Sequence, residues 1–318
     1  MTMLVQNFLE ASARRFPDKV ALVCGSARFT YAQWENAAKQ LAHNLQNLGV
    51  ARGDRVAIQL PNSVEAVVGI FAVLKAGGVF VMLNRATKPD KLAFILNNCR
   101  ATALITDARA SDQGVGATLF EKVTSLRHLF VVGKLPGDLA AHPRWYPFIV
   151  RGDDLGFTPP TNQAIDLDLA CLIYTSGTTG EAKGVMCDHS NVVFVTRSIV
   201  ESLRNTADDI VLSVLPLAFS YGLYQLMAAV CTGGRLVLEE SFAFPAVLLQ
   251  KLAQEQVTGF AGVPTIFSIL LALDLSGHDL AHLRYVTNAA AGLPVEQVKR
   301  LRQVFPDVEL YLMHGLTE

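Results

Sequence analysis

The chain has 318 residues, 51% of them hydrophobic and 17% charged, with a formal net charge of -1. That length is more than one core usually organises, so two compact units are expected. The apolar share excludes extensive disorder, and the lack of a basic stripe or acidic tail argues against nucleic acid as a partner.

Near the N-terminus, polar residues interrupt the apolar stretch and no small-residue cleavage site follows, so no signal peptide is read there. Trp34, Ala37, Ala38, Leu41, Leu45 and Leu48 share one face of a helix that Gly49 stops. "RVAIQL" (55–60) reads as a short apolar strand. Asn62, with Glu65 three residues on, predicts a capping box for the next helix. The stretch 66–83, "AVVGIFAVLKAGGVFVML", is the one membrane suspect. Lys75 and the Gly77-Gly78 break divide it into a helix and a strand, "VFVML", each too short to span.

A helix opened by Thr87 and Asp90 and strands at 102–105 and 128–132 continue the series. Residues 133–165 contain five prolines and little periodicity, which predicts a surface excursion and a boundary. Beyond the apolar run Leu169–Ile173 come strand 210–215, helix 222–231, strand 235–239 and helix 245–255. Strand 258–262, helix 265–273, strand 283–288, helix 294–304 and strand 308–312 complete the order. Such alternation predicts an α/β fold with two parallel sheets covered by helices, and ligands beyond the carboxyl ends of the strands.

Cys24, Cys99, Cys171, Cys187 and Cys231 are odd in number and lack C-x-x-C spacing, which fits a reducing cytoplasm.

"YTSGTTGEAKG" (174–184) follows directly on that apolar run. Glycine, serine and threonine can turn backbone N–H groups and hydroxyls around an anion, and a lysine adds a point charge. The chemistry suits a polyphosphate. A Walker loop it is not, because Ala182 precedes Lys183 and Gly184 follows it. A flexible surface turn is the plain alternative.

These residues resemble the phosphate loop of the adenylate-forming superfamily, which includes acyl- and aryl-CoA synthetases, luciferases and peptide-synthetase adenylation domains. "TSGTTGEAKG" departs from that pattern only at Ala182, where proline is usual, which should loosen the loop slightly. "FTYAQWENAAKQLA" (29–42), "LKAGGVFVMLN" (74–84), "GVMCDHSNV" (184–192), "LPLAFSYG" (215–222), "VTNAAAGLP" (286–294) and "LMHGLTE" (312–318) resemble further landmarks in the family's order. The chain is identified as a member of that superfamily on these motifs.

The resemblance implies ATP-dependent activation of a small carboxylic acid to an acyl-adenylate, then transfer to a thiol of CoA or of a carrier protein's phosphopantetheine. By position, Thr175, Ser176, Gly177, Thr178, Thr179, Gly180 and Lys183 would hold the β- and γ-phosphates. Thr317 would donate to the α-phosphate, and Glu318 would ligate Mg²⁺. Ala289, Ala290 and Ala291 would flank adenine, and His314, beside Gly315, stands where the family has a stacking tyrosine. Lys183, Thr317 and Glu318 are the expected catalytic set. Phe219, Ser220, Tyr221, Gly222 and Gly262 would line the acid pocket, with ordinary core at the start of a helix the alternative for Phe219, Tyr221 and Gly222, while Met227 and Cys231 read as core.

Two residues carry a further reading. His189 either belongs to the site or simply bonds the backbone before a helix starting near Asn191. Ser220 stands where adenylation domains for α-amino acids carry an aspartate that pairs with the substrate ammonium. Serine cannot supply that charge, which implies an acid without an α-amino group.

Family members continue beyond the metal motif into a β-barrel subdomain and a mobile C-terminal domain. The sequence is therefore expected to be a truncated N-terminal domain, inactive or weakly active alone, with one subdomain at about 61–207 and the other from about 1–60 plus 208–318. A non-catalytic nucleotide-binding remnant is the alternative.

Overall fold

The computed structural model describes residues 3–108, 115–134, 143–153, 156, 161, 163–176 and 181–317, with side chains at 115–117 and 176 left aside. The chain divides into two compact units. One comprises Met1–Ala11 and Ala32–Phe194, the other Ser12–Tyr31 and Val195–Thr317.

The first unit is built on a seven-stranded sheet. Its strands are β3 (Arg55–Gln59), β4 (Val79–Leu83), β5 (Ala101–Asp107), β6 (His128–Val132), β7 (Trp145–Phe148), β8 (Leu169–Ser176) and β9 (Ala182–Asp188), in the order β7-β6-β5-β3-β4-β8-β9. All pairs are parallel except β8 with β9. The suspected membrane stretch resolves into α3 (Val64–Lys75) and β4, both buried, because a parallel central strand is covered on both faces. No described helix is long and apolar enough to cross a membrane. The face of α2 (Tyr31–Asn47) read from the sequence is buried from Trp34 to Leu45, and Trp34 meets Phe71 edge to face at 5.4 Å.

The second unit carries β1 (Val20–Cys24), β2 (Ala27–Thr30), β10 (Ile210–Ser213), β11 (Arg235–Leu238), β12 (Gly259–Gly262), β13 (Tyr285–Asn288) and β14 (Glu309–Leu312). Their order is β14-β13-β12-β10-β11-β1-β2, parallel except for β1 with β2. Helices α7 (Ser220–Thr232), α8 (Pro245–Gln254), α9 (Pro264–Leu270) and α10 (Val295–Val304) connect these strands, and Phe260, Phe267, Leu212 and Val286 lie in the core between them.

Several expectations need correction. The two expected sheets are present, and each carries one antiparallel strand at one edge. Strand β3, expected to go with 208–318, pairs with β4 and β5, so 55–59 belongs to the first sheet. The cap of α3 is Ser63, whose hydroxyl accepts from the Ala66 amide at 3.1 Å; Asn62 lies one residue outside. Helix α4 (Pro89–Asn98) is preceded by Lys88 without a side-chain cap and starts on proline, whose missing N–H costs nothing there. The proline-rich stretch is not all excursion, since Trp145–Phe148 adds an edge strand, where Pro147 is tolerated. Helices α1 (Gln6–Arg15) and α5 (Val115–Lys122) and the β1–β2 hairpin were not anticipated.

Candidate functional site

The sequence-predicted residues fall in both units. In the first unit, β8 and β9 form an antiparallel hairpin with Tyr174 opposite Gly184, Thr175 opposite Lys183 and Ser176 opposite Ala182. Gly184 is glycine for a packing reason, because a Cβ there would lie 3.0 Å from the Tyr174 ring. The Tyr174 hydroxyl in turn donates to Asn98 Oδ1. Lys183 is exposed, and no described carboxylate bridges it. Gly177, Thr178, Thr179 and Gly180, expected to hold phosphate, lie outside the described residues.

His189 resolves towards its plainer role. It opens α6 (His189–Leu203), is 1% exposed, and its Nδ1 accepts the Val5 amide at 3.2 Å. Burial lowers its pKa to about 4, against the opposing pull of Asp168, Asp188 and Asp166, so the ring is a neutral acceptor. Asp188 supplies the helix cap, accepting from the Asn191 amide at 2.7 Å and the Ser190 hydroxyl at 2.8 Å.

In the second unit, the carboxyl ends of β12, β13 and β14 gather the remaining candidates. The Tyr221 hydroxyl, near the start of α7, lies 2.6 Å from Thr287 Oγ1 and 3.3 Å from the Gly262 carbonyl. A carbonyl only accepts, so the phenol donating to Gly262 and accepting from Thr287 satisfies all three groups. Burial raises the phenol's pKa and keeps it protonated. Ser220 Oγ is 3.4 Å from Thr317 Oγ1, which joins the start of α7 to the segment after β14. The Met313 amide donates to the Asn288 carbonyl at 2.8 Å and ties that same segment to the end of β13.

The turn after β13 has a defined shape. Asn288 Nδ2 donates to the Ala291 carbonyl at 2.8 Å, and Ala290 adopts φ 68°, a left-handed conformation uncommon for alanine. Ala289 is half-buried, while Ala290 and Ala291 are exposed. Asn288 is 3% exposed, yet its Oδ1 has no hydrogen-bond partner among the described residues. Sequence reasoning did not single out Asn288 or Thr287, although both sit inside the quoted "VTNAAAGLP". His314 and Gly315 are exposed, and Thr317 is half-buried.

Two of the glycines are also held to glycine by their neighbours. A Cβ on Gly222 would lie 2.4 Å from the Pro216 carbonyl oxygen and 2.7 Å from that of Leu215, so close backbone contact requires glycine. At Gly262 it would lie 2.8 Å from the Phe267 ring. Phe219 precedes α7 and is 53% exposed, so it is not core. Met227 is fully buried and Cys231 partly so. Among the described residues no cluster of three or more metal-ligating side chains exists, and Glu318 lies outside them.

Gramicidin S synthase 2 of Brevibacillus brevis is 31% identical over 322 residues, covering 99% of this chain, which spans 6% of that relative's length. The anthranilate CoA ligase AuaEII, solved in complex with anthranoyl-AMP, superposes with a TM-score of 0.88 at 26% identity, over 100% of this chain and 60% of that one. VinN in complex with L-aspartate gives a TM-score of 0.81 at 30% identity, over 100% and 80%. The inference from Ser220 to an acid without an amino group gains no support from these relatives. The AMP-binding enzyme model matches residues 9–318, nearly the whole sequence, and the chain belongs to that family of adenylate-forming ligases.

Proposed function

We propose that the chain activates a small carboxylic acid as its adenylate. A carboxylate oxygen attacks the α-phosphorus of ATP, the bond to the bridging oxygen breaks, and pyrophosphate leaves. A thiol of CoA or of a carrier protein then attacks the acyl carbon and releases AMP. Neither step needs a protein nucleophile, so the residues act by positioning and by stabilising charge.

What supports this reading most is the convergence of Ser220, Tyr221, Thr287, Asn288 and Thr317 at the carboxyl ends of adjacent parallel strands. Thr317 would donate to the α-phosphate. Ala289, Ala290 and Ala291 would lie along adenine, since small side chains let a ring approach the backbone, and His314 offers a flat face for stacking. The unpartnered Asn288 Oδ1 is an acceptor suited to an amino group such as that of adenine. Thr175, Ser176, Gly177, Thr178, Thr179, Gly180 and Lys183 would hold the departing phosphates.

Magnesium takes most of its ligands from phosphates and water, so a single protein carboxylate, Glu318, suits the donor set. When bound, the ion would neutralise polyphosphate charge.

For the acid, the pocket side of α7 presents Ser220 and Tyr221 and no carboxylate at position 220. An ammonium on the α-carbon would therefore find no anion there, which favours fatty, aryl or hydroxy acids. VinN is seen with L-aspartate, so amino acids belong on the same panel.

ATP–pyrophosphate exchange with fatty, aryl, hydroxy and amino acids tests both statements. Exchange stimulated by simple acids is expected. Exchange with a single amino acid alone would sink the substrate class and keep the chemistry. MgATP binding without exchange for any acid would leave a nucleotide-binding protein.

A further inference from the structure

Cys171 and Cys187 face each other across the antiparallel β8–β9 pair. Cys171 is fully buried and Cys187 is 5% exposed, on the terminal strand of the sheet. Directly opposed residues in an antiparallel ladder have Cα atoms about 4.5 or 5.5 Å apart, and both values lie within the range a disulfide spans. Their side chains also share one face of the sheet. Both cysteines are free thiols. No other described cysteine pair stands in register across strands.

We propose that Cys171 and Cys187 form a dithiol–disulfide redox site that a hydroperoxide oxidises, stapling the hairpin that leads to Ser176 and Ala182. Cys187 is the less buried of the two, and the neighbouring Cys171 lowers its thiol pKa, so Cys187 is the attacking sulfur. Its Sγ attacks one oxygen of hydrogen peroxide, the O–O bond breaks, and the other oxygen leaves with the thiol proton as water. The Cys187 sulfenic acid so formed is then attacked by Cys171 Sγ. The S–S bond forms, the S–O bond breaks, and the hydroxyl leaves with the Cys171 proton as a second water. The two sulfurs together lose two electrons, and the peroxide is reduced to two waters.

A staple at this position shortens the free span of the strand–loop–strand segment. The strands that launch and receive the glycine-rich loop would then open less often. The remaining cysteines are internal comparators. Cys99 is buried without a facing cysteine, and Cys24 and Cys231 are partly exposed in the other unit.

The experiment treats the folded protein with hydrogen peroxide, alkylates remaining thiols and maps peptides by mass spectrometry. Amide hydrogen exchange is followed in parallel. The expected result is a Cys171–Cys187 linked peptide, a loss of about 2 Da that dithiothreitol reverses, and slower exchange over 172–186. Cys187→Ser and Cys171→Ser should each abolish the link, and the Cys171→Ser protein should stop at the Cys187 sulfenic acid, trapped by dimedone. A link found only in denaturant, oxidation that leaves Cys171 and Cys187 alkylatable, or unchanged exchange in the linked protein would overturn the proposal. Because no nucleotide enters these readouts, the outcome is separate from that of the exchange assay.

Discussion

The Tyr221 hydroxyl lies 2.6 Å from Thr287 Oγ1 and joins the start of helix α7 to the carboxyl end of strand β13. Thr287 is fully buried, so its hydroxyl depends on this partner. Tyr221→Phe keeps the ring and removes the bond. The expected cost is about 1–3 kcal/mol, that of leaving a buried polar group unsatisfied. Urea unfolding followed by circular dichroism measures it, and an unchanged midpoint would show that Thr287 finds another partner.

Gly222→Ala tests the close approach behind that contact. The added methyl would meet two backbone carbonyl oxygens, of Pro216 and Leu215, which cannot rotate away as a side chain could. Overpacking of this kind costs about 1–3 kcal/mol and should displace the first turn of α7. Reduced thermal stability is the expected readout. A wild-type melting temperature would mean that the turn yields freely.

His189 gives the fold a pH dependence whose sign follows from its burial. Its folded pKa is about 4, below the unfolded value of about 6.5, so between these values the unfolded chain binds more protons. Its contribution is complete above pH about 6.5 and is lost as pH falls towards about 4. The full shift corresponds to on the order of 3 kcal/mol. His189→Gln keeps an acceptor for the Val5 amide but does not titrate. Denaturant titrations at neutral and acidic pH should show a shallower loss of stability in the variant, and identical slopes would contradict the assignment.

The sequence made the alternation of strands and helices legible because parallel strands are short apolar runs bounded by caps and glycines. It missed β1 and β2, whose four or five residues carry too little periodicity beside the neighbouring helix. It also missed Trp145–Phe148, where proline density masks an edge strand. For the site, residue types were readable and partners were not. Ser220 was read for the charge it lacks, but its neighbour Thr317 comes from a distant part of the chain. His189 shows the same limit, since its partner is the Val5 amide. Gly222 was readable as a pocket position by its place in the motif, but the carbonyls of Leu215 and Pro216 that require glycine there were not.

Lys183→Ala is the sharpest test of the proposed phosphate loop. Lys183 sits on β9 opposite Thr175, with an exposed side chain, so its removal should leave stability within about 0.5 kcal/mol of wild type. Any large change in ligand affinity then reports on the ligand. If the ammonium meets the β- and γ-phosphates, the variant should lose about 1.5–3 kcal/mol of MgATP affinity, the size of a hydrogen bond to a charged group. AMP lacks those phosphates, so its affinity should stay nearly unchanged. Lys183→Arg keeps the charge with a wider, planar head, and should recover part of the loss without full geometry. Raising salt should narrow the gap between wild type and Lys183→Ala, because an exposed charge is screened. Isothermal calorimetry with both nucleotides at two ionic strengths measures all of this. Equal weakening of MgATP and AMP would move Lys183 away from the polyphosphate and leave the loop without its cation.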